Sequence, residues 1–317
     1  MSRWSCSTAS VGELSGFPNS VQDGARVRWL AEVRWTTFQF SRGDCLAHRY
    51  RVEKPLGHGG RGEVYAVHDR LLRQAVALKT LERTCRDPRG TLDGLLAEVR
   101  LARRLAHPNV CRIYDMGVHV RGREHLHFAT MQLVPGRNLE HVLLDRRPSV
   151  ASALPIARQV LLGLHAMHRA DVLHRDVRSA NIMLASSQGT AQAVLINFGR
   201  AQCLRDPALT SASPAPAASA YTAPEQSSGL PLSPKADLFS LGVVLYEMLT
   251  GRRPFANLRA SAADAPQREP RILPPSHYTV GVRPELDALV LRCLDPDPER
   301  RYEDAGALLC ALDALPA

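Results

Sequence analysis

Leu56-Gly57-His58-Gly59-Gly60-Arg61-Gly62-Glu63-Val64-Tyr65 carries glycines in the spacing Gly-x-Gly-x-x-Gly. Glycines without Cβ atoms let backbone amides close over phosphate oxygens. A dinucleotide-binding turn shares the spacing but opens a helix. Here Val64-Tyr65-Ala66-Val67 continues as a strand, so the stretch reads as a strand–turn–strand flap within Tyr50 to Ala66. A third strand is expected over Arg73 to Leu81 and includes Val76-Ala77-Leu78-Lys79. Lysine occurs only at Lys54, Lys79 and Lys235, so 37 of the 40 basic residues are Arg. A compact ammonium at Lys79 suits phosphate oxygens that the wider Arg fork would overfill. A helix is expected over Leu92 to Ala106, with Leu95, Leu96, Val99 and Ala102 on its apolar side. Its Glu98 falls where it can pair with Lys79, and Arg100, Arg103 and Arg104 fall on the opposite face.

The 317 residues suffice for two lobes with a sizeable core. Hydrophobic content of 45% and charged content of 22% describe a globular chain. No apolar run reaches the ~20 residues of a membrane helix; the longest candidate, Leu241 to Leu249, is interrupted by Glu247 and reads as a buried helix. The N-terminus lacks the apolar stretch of a secretory signal, so a cytoplasmic location is expected. The cysteines, 7 in number and with no Cys-x-x-Cys pair, fit reduced thiols. His165 and His168 share a helix face without further ligands, so they read as ordinary surface or packing histidines. The formal charge of +9 is spread along the chain, which argues against a specific nucleic-acid surface.

Residues 1–43 hold all three tryptophans and no long helical period, and they read as a leader. Beyond Pro135-Gly136 the chain is expected to be mainly helical: Asn138 to Asp145, Ser152 to Arg169, Lys235 to Thr250, Pro284 to Cys293 and Tyr302 to Leu312. Strands first and helices afterwards predict an α+β chain segregated into two lobes. Cys203 to Ala220 is a low-complexity stretch of Ala, Ser and Pro.

His174-Arg175-Asp176-Val177-Arg178-Ser179-Ala180-Asn181 sets an Asp and an Asn five positions apart on one loop. Val194-Leu195-Ile196-Asn197-Phe198-Gly199 reads as a strand running into a turn, and Tyr221-Thr222-Ala223-Pro224-Glu225 follows. With the glycine flap and Lys79, these motifs resemble the protein kinase family, in particular the eukaryotic-like serine/threonine kinases of bacteria. The resemblance covers roughly Asp44 to Leu312. It implies a two-lobed kinase fold, with a mainly β small lobe carrying one helix over 44–134 and a mainly α large lobe over 135–317. It implies ATP and Mg2+ (Mn2+ as the alternative) and a protein substrate or regulatory partner. The implied ATP-binding set is Leu56, Gly57, Gly59, Gly62, Val64, Ala77, Lys79, Met131, Gln132, Val134 and Met183. Met131 would be the gatekeeper and Gln132 to Val134 the hinge that reads adenine through the backbone. Val64, Ala77 and Met183 would sandwich the base. The implied catalytic set is Asp176, Lys79, Glu98 and Arg178, with Asp176 accepting or orienting the substrate hydroxyl proton. Asn181 and Asn197 are the implied metal positions. The resemblance also packs His174 beneath Phe198, pairs Glu225 with Arg301 and anchors the loop backbone on Asp237. It makes Arg175 a clamp for a phosphate on Thr210, Ser211 or Ser213.

Three positions depart from the family. Asn197 stands where an Asp holds magnesium, Arg178 replaces the catalytic-loop Lys, and Ala217-Ala218 replaces a Gly-Thr pair. Hard divalent cations prefer carboxylate, so a weakened metal site is expected. Two readings follow: a serine/threonine kinase with weak metal binding, and a pseudokinase that binds nucleotide or a partner and signals by shape.

Overall fold

In the computed structural model the described residues are 39–59, 62–81, 88–122, 124–187, 190–205, 219–255 and 272–316. The leader up to residue 38, Gly60-Arg61, the acceptors Thr210, Ser211 and Ser213, and Ala217-Ala218 lie outside them. The unit that carries the elements runs Phe40–Ala317.

β1 (Cys45–Leu46), β2 (Tyr50–Gly59), β3 (Gly62–Asp69), β4 (Gln74–Thr80), β5 (Ile113–Arg121) and β6 (Glu124–Met131) form one six-stranded antiparallel sheet. Its order is β1-β2-β3-β4-β6-β5. β4 is interior to the sheet, and Val76 to Thr80 are all buried. That is why this strand is continuously apolar apart from Lys79 and Thr80 rather than alternating. Residue 40 opens the unit: the Phe40 ring lies edge-on to Tyr65 at 5.8 Å and is 6% exposed.

α1 (Pro88–Ala102) packs on β5 and β6. It starts before the expected Leu92 and stops before the expected Ala106. The stop is local: Arg104 N–H donates to Leu101 and Leu105 N–H to Ala102, tighter i−3 bonds that close the last turn. Arg103 and Arg104 therefore sit beyond the helix. β5 begins at Ile113; just before it Val110 bridges to Leu195, with Cys111 N–H on Leu195 O (2.8 Å) and Leu195 N–H on Asn109 O (2.9 Å). β6 stops at Met131, which leaves Gln132 to Val134 outside the strand.

Among the described residues six α-helices follow: α2 (Leu139–Asp145), α3 (Val150–Arg169), α4 (Pro224–Ser227), α5 (Pro234–Thr250), α6 (Pro284–Cys293) and α7 (Ala305–Asp313). Asn138, Ser149 and Asp304 cap α2, α3 and α7 by accepting a backbone N–H. The expectation of a mainly helical second half missed the short strands β7 (Gly136–Asn138), β8 (Val172–Leu173), β9 (Ile182–Ser187) and β11 (Gln202–Cys203). It caught only the run of β10 (Thr190–Leu195). β7, β9 and β10 make a three-stranded sheet and β8 pairs with β11. β7, β8 and β11 are two or three residues long, too short for alternation to register, and β9 opens on the unbroken apolar run Ile182-Met183-Leu184-Ala185.

α5 is buried at every position from Lys235 to Thr250. A helix apolar nearly all round is a core helix, and α3, α6 and α7 complete its surroundings. α3 is long and apolar enough to cross a membrane, contrary to the expectation that no run was. Its buried residues, Ala153, Ile156, Ala157, Val160, Leu161, Gly163, Leu164 and Met167, recur at helical spacing and face this core. Gly163 permits the closest approach: a Cβ there would lie 2.9 Å from Asn109 O.

Candidate active site

The loop that carries His174 to Asn181 runs from β8 to β9 across the N-terminal end of α5. Asp237, in the first turn of α5, accepts from His174 N–H (2.9 Å) and Arg175 N–H (2.8 Å). His168 Nε2 lies 2.9 Å from the same carboxylate. Burial pushes the Asp237 carboxyl up, but bonds and charge from His168 and His174 outweigh it and hold the group below the usual carboxylate range. Arg175 adopts φ +63°, a left-handed conformation that costs roughly 1–2 kcal/mol for a non-glycine residue. Asp237 on its N–H and Gln226 on its carbonyl (3.0 Å) fix it there. Asp176 is thereby turned toward the cleft.

β10 delivers Asn197. Ile196 N–H donates to Asn181 O (3.0 Å), and His174 Nε2 lies 3.2 Å from Ile196 O. Phe198, 1% exposed, packs against the His174 ring at 5.6 Å. Asn197 itself has φ +70°. Asn and Asp are the side chains best tolerated in that region, so Asn197 suits the backbone as an Asp would; what differs is its missing charge and its NH2 donor.

Lys79 donates to both oxygens of Glu98, at 3.1 and 3.2 Å, and the two residues are 8% and 3% exposed. The pair ties α1 to β4. Removing one member of such a buried pair costs about 3–5 kcal/mol. From Lys79 a chain of bonds crosses the cleft. Lys79 Nζ reaches Asn197 Oδ1 at 3.5 Å, Asn197 Nδ2 donates to Asn181 Oδ1 at 3.3 Å, and Asn181 Nδ2 donates to Asp176 Oδ2 and O at 2.8 Å. The donors fix the amide orientations. Asn181 must turn its NH2 to the two acceptors of Asp176, which leaves its oxygen for Asn197. Asn197 must then offer NH2 to that oxygen and its own oxygen to the ammonium. Both amide oxygens of the implied metal set are therefore already engaged by protein donors.

The implied ATP-binding residues from the sheet are neighbours by register: Gly57 opposite Val64, Val64 opposite Lys79, and Ala77 opposite Met131. Leu56 and Gly59 lie on β2 and Gly62 opens β3. Met183 comes from the other sheet, paired with Val194 and Asn138. Gln132 and Val134 follow β6, and Val134 is buried. A Cβ on Gly57 would meet nothing within 4 Å, so the flap leaves open space there.

Arg178 does not join this chain. Its guanidinium lies 3.9 Å from Glu140 and 5.7 Å from the Tyr221 ring centre, toward α2. Glu225 and Arg301 form a bidentate pair at 2.7 and 2.9 Å. Sequence reasoning missed Thr80, whose hydroxyl bonds both Glu63 N–H (3.2 Å) and Glu63 O (3.3 Å) at the flap base. It also missed Cys111, buried behind Gln132 with its thiol pushed up to about 12 by burial. Neither carries a sequence signal, because both act through tertiary neighbours. Among the described residues no group of three or more His, Cys, Asp or Glu is poised to hold a metal.

A family profile described as protein kinase domain matches residues 50–310. Serine/threonine-protein kinase pkn2 of Myxococcus xanthus is 34% identical over 285 residues, 86% of this chain and 33% of that protein. Serine/threonine-protein kinase PknJ of Mycobacterium tuberculosis is 34% identical over 272 residues, 84% of this chain and 45% of that protein. The crystal structure of the Mycobacterium tuberculosis PknI kinase domain superimposes with a TM-score of 0.64 at 25% identity, covering 86% of this chain and 98% of that one. The chain thus spans less than half the length of these two curated relatives. A profile match over most of its length, on a β-rich first half and a helical second half, shows that this chain belongs to the protein kinase family, among its eukaryotic-like bacterial serine/threonine members.

Proposed function

We propose that this chain is an ATP-dependent serine/threonine protein kinase whose magnesium site is weakened at Asn197. Its working units are then the lobes 44–134 and 135–317, with 1–43 as a leader. The observation that carries the reading is the closed Lys79–Glu98 pair (3.1 Å) facing an Asp176 held by Asn181 (2.8 Å). Lys79, oriented by Glu98, is set to bind the α- and β-phosphates. The flap amides from Gly57 to Gly62 cover the phosphates, with Leu56, Val64, Ala77, Met131, Gln132, Val134 and Met183 around the adenine. Asp176 orients the hydroxyl of a protein substrate and takes its proton, while Asn181 fixes that carboxylate's rotamer. Arg178 supplies charge beside the loop. The family's use of ATP and a divalent cation fits these residues in part. Asn181 and Asn197 would hold the ion through neutral amide oxygens, with Asp176 the nearest carboxylate. A bound cation would supply neutralisation of phosphate charge. Dependence on ATP goes with a cytoplasmic location.

The second reading, a pseudokinase, is favoured by one contact: the Asn197 amide donates to the Asn181 oxygen (3.3 Å). A protein donor thus occupies an oxygen that a cation needs. Transfer of labelled γ-phosphate from ATP to the chain itself and to protein substrates, with Mg2+ or Mn2+, separates the two. Wild type above the Asp176→Ala blank supports the kinase. Wild type equal to that blank, with activity gained in Asn197→Asp, supports the pseudokinase.

A further inference from the structure

A second cleft opens beside the catalytic loop. Its volume is about 630 Å³, and Glu140, Leu143, Tyr246, Arg252, Arg253 and Tyr278 are among the residues that line it. One carboxylate links it to the loop: Glu140 lies 3.9 Å from Arg178 and 3.7 Å from Arg253. Arg178 is two positions past Asp176, so a peptide presenting a hydroxyl to Asp176 passes this cleft.

The charges here are committed unevenly. Glu247 has both oxygens occupied, one by the Tyr221 hydroxyl (2.5 Å) and the other by Arg253 Nε (3.1 Å), and its side chain is 11% exposed. Glu140 is shared between two guanidiniums. The acids therefore offer little to an incoming cation. Arg252 is the open arginine, whereas Arg253 is already bonded to Glu247 through Nε and lies 3.7 Å from Glu140. Arg252 is exposed and lies over the Tyr278 ring at 5.2 Å. Arg253 lies over Tyr221 at 5.1 Å with 40% of its side chain exposed. Arg147, exposed, is held toward the same rim by Thr279 (3.0 Å). Stacking on a ring holds a guanidinium in one plane and leaves its edge free for a planar anion.

We propose that this cleft is a specificity subsite for acidic side chains of the protein substrate, with Arg252 and Arg253 as the reading residues. The proposal rests on the kinase reading for its role and on the cleft alone for its binding. A carboxylate gains a charge-assisted bond from Arg252 with the exposed part of Arg253 beside it, whereas a basic side chain meets like charge and acids that already face guanidiniums.

The test uses the full chain with ADP and two labelled peptides whose acceptor is Ala, one flanked by Glu and Asp, the other by Arg. Anisotropy titrations give both Kd values. The expected result is an acidic preference of at least about fivefold in wild type, lost or reversed in Arg252→Glu. Arg70→Glu, an exposed change on β3–β4, alters net charge equally and should keep the preference. The Arg252→Glu,Arg253→Gln pair should deepen the loss, with a thermal melt checking its fold. Equal or tighter binding of the Arg peptide, no measurable binding of either, or a preference untouched by Arg252→Glu but lowered by Arg70→Glu overturns the subsite. If the preference holds while no variant transfers phosphate to the corresponding Ser peptides, the kinase reading fails and the binding site stands.

Discussion

Replacing Asn197 with Asp is the most informative single change, because the structure says what it breaks and what it adds. Without metal, a carboxylate at this position faces Asn181 Oδ1 across 3.3 Å, acceptor against acceptor. That loses one neutral hydrogen bond, about 0.5–1.5 kcal/mol, partly offset by a stronger contact with Lys79, now 3.5 Å away. The metal-free variant should thus melt within a degree or two of wild type or slightly below it. With a divalent cation the sign reverses. Changes one layer further from a metal already alter affinity roughly 10- to 100-fold. A regained carboxylate ligand should deliver at least that, about 1.4–2.8 kcal/mol at fixed ligand concentration. For a chain this size that is roughly 2–5 °C of extra thermal shift. The assay is a thermal melt with ATP, titrated with Mg2+ and then with EDTA. Wild type should show an ATP shift that is nearly indifferent to EDTA, and Asn197→Asp one that EDTA largely removes. Equal Mg2+-dependent shifts in both proteins would refute the argument that Asn197 is the weak point of the metal site.

Two further predictions concern the frame that holds the site. Arg301 is fully buried and donates to Glu225, Lys235 O, Asp295 O and Pro296 O while stacking on Phe239 at 4.8 Å. Arg301→Met should cost about 3–5 kcal/mol by stranding the Glu225 carboxylate; denaturant unfolding of Arg301→Met, Glu225→Gln and the double variant checks it, and additive effects would deny the coupling. His107 and His119 both have their pKa lowered, first by burial, and each accepts a backbone N–H at Nδ1, from Asn109 and Ala47, so only the neutral ring fits. The unfolded chain then binds more protons, so their contribution is present above the ordinary value of 6.5 and is lost as pH falls through the lower folded values. Thermal midpoints should be level from pH 8 to 7 and fall below about pH 6.5, and His119→Gln should shrink that fall.

The resemblance in the sequence foresaw the frame better than the contents of the cleft, and the reason is physical. Lys79, Glu98, Asp237, Glu225 and Arg301 bind partners through charge at short range inside a buried core. Their chemistry leaves few alternatives once the strand and helix order is known. The glycine flap was legible because the strand that follows it excludes a helix. The helix ends were less so: α1 closed at Ala102 through tight i−3 bonds that no periodicity signals, short of the expected Ala106. The amides were least legible of all. In the sequence Asn197 is only a missing negative charge. In the structure it is also a donor, because Asp176 fixes Asn181, Asn181 turns its oxygen outward, and Asn197 must answer with NH2. An Asp there has no proton to give and would leave that oxygen open. The substitution thus subtracts a charge and adds a bond that competes for an oxygen of Asn181. Arg178 makes the same point from the other side. Its charge suits the γ-phosphate, but its longer planar group stands against Glu140 and Tyr221 instead, and there it borders the cleft whose open Arg252 favours an acidic neighbour of the substrate hydroxyl.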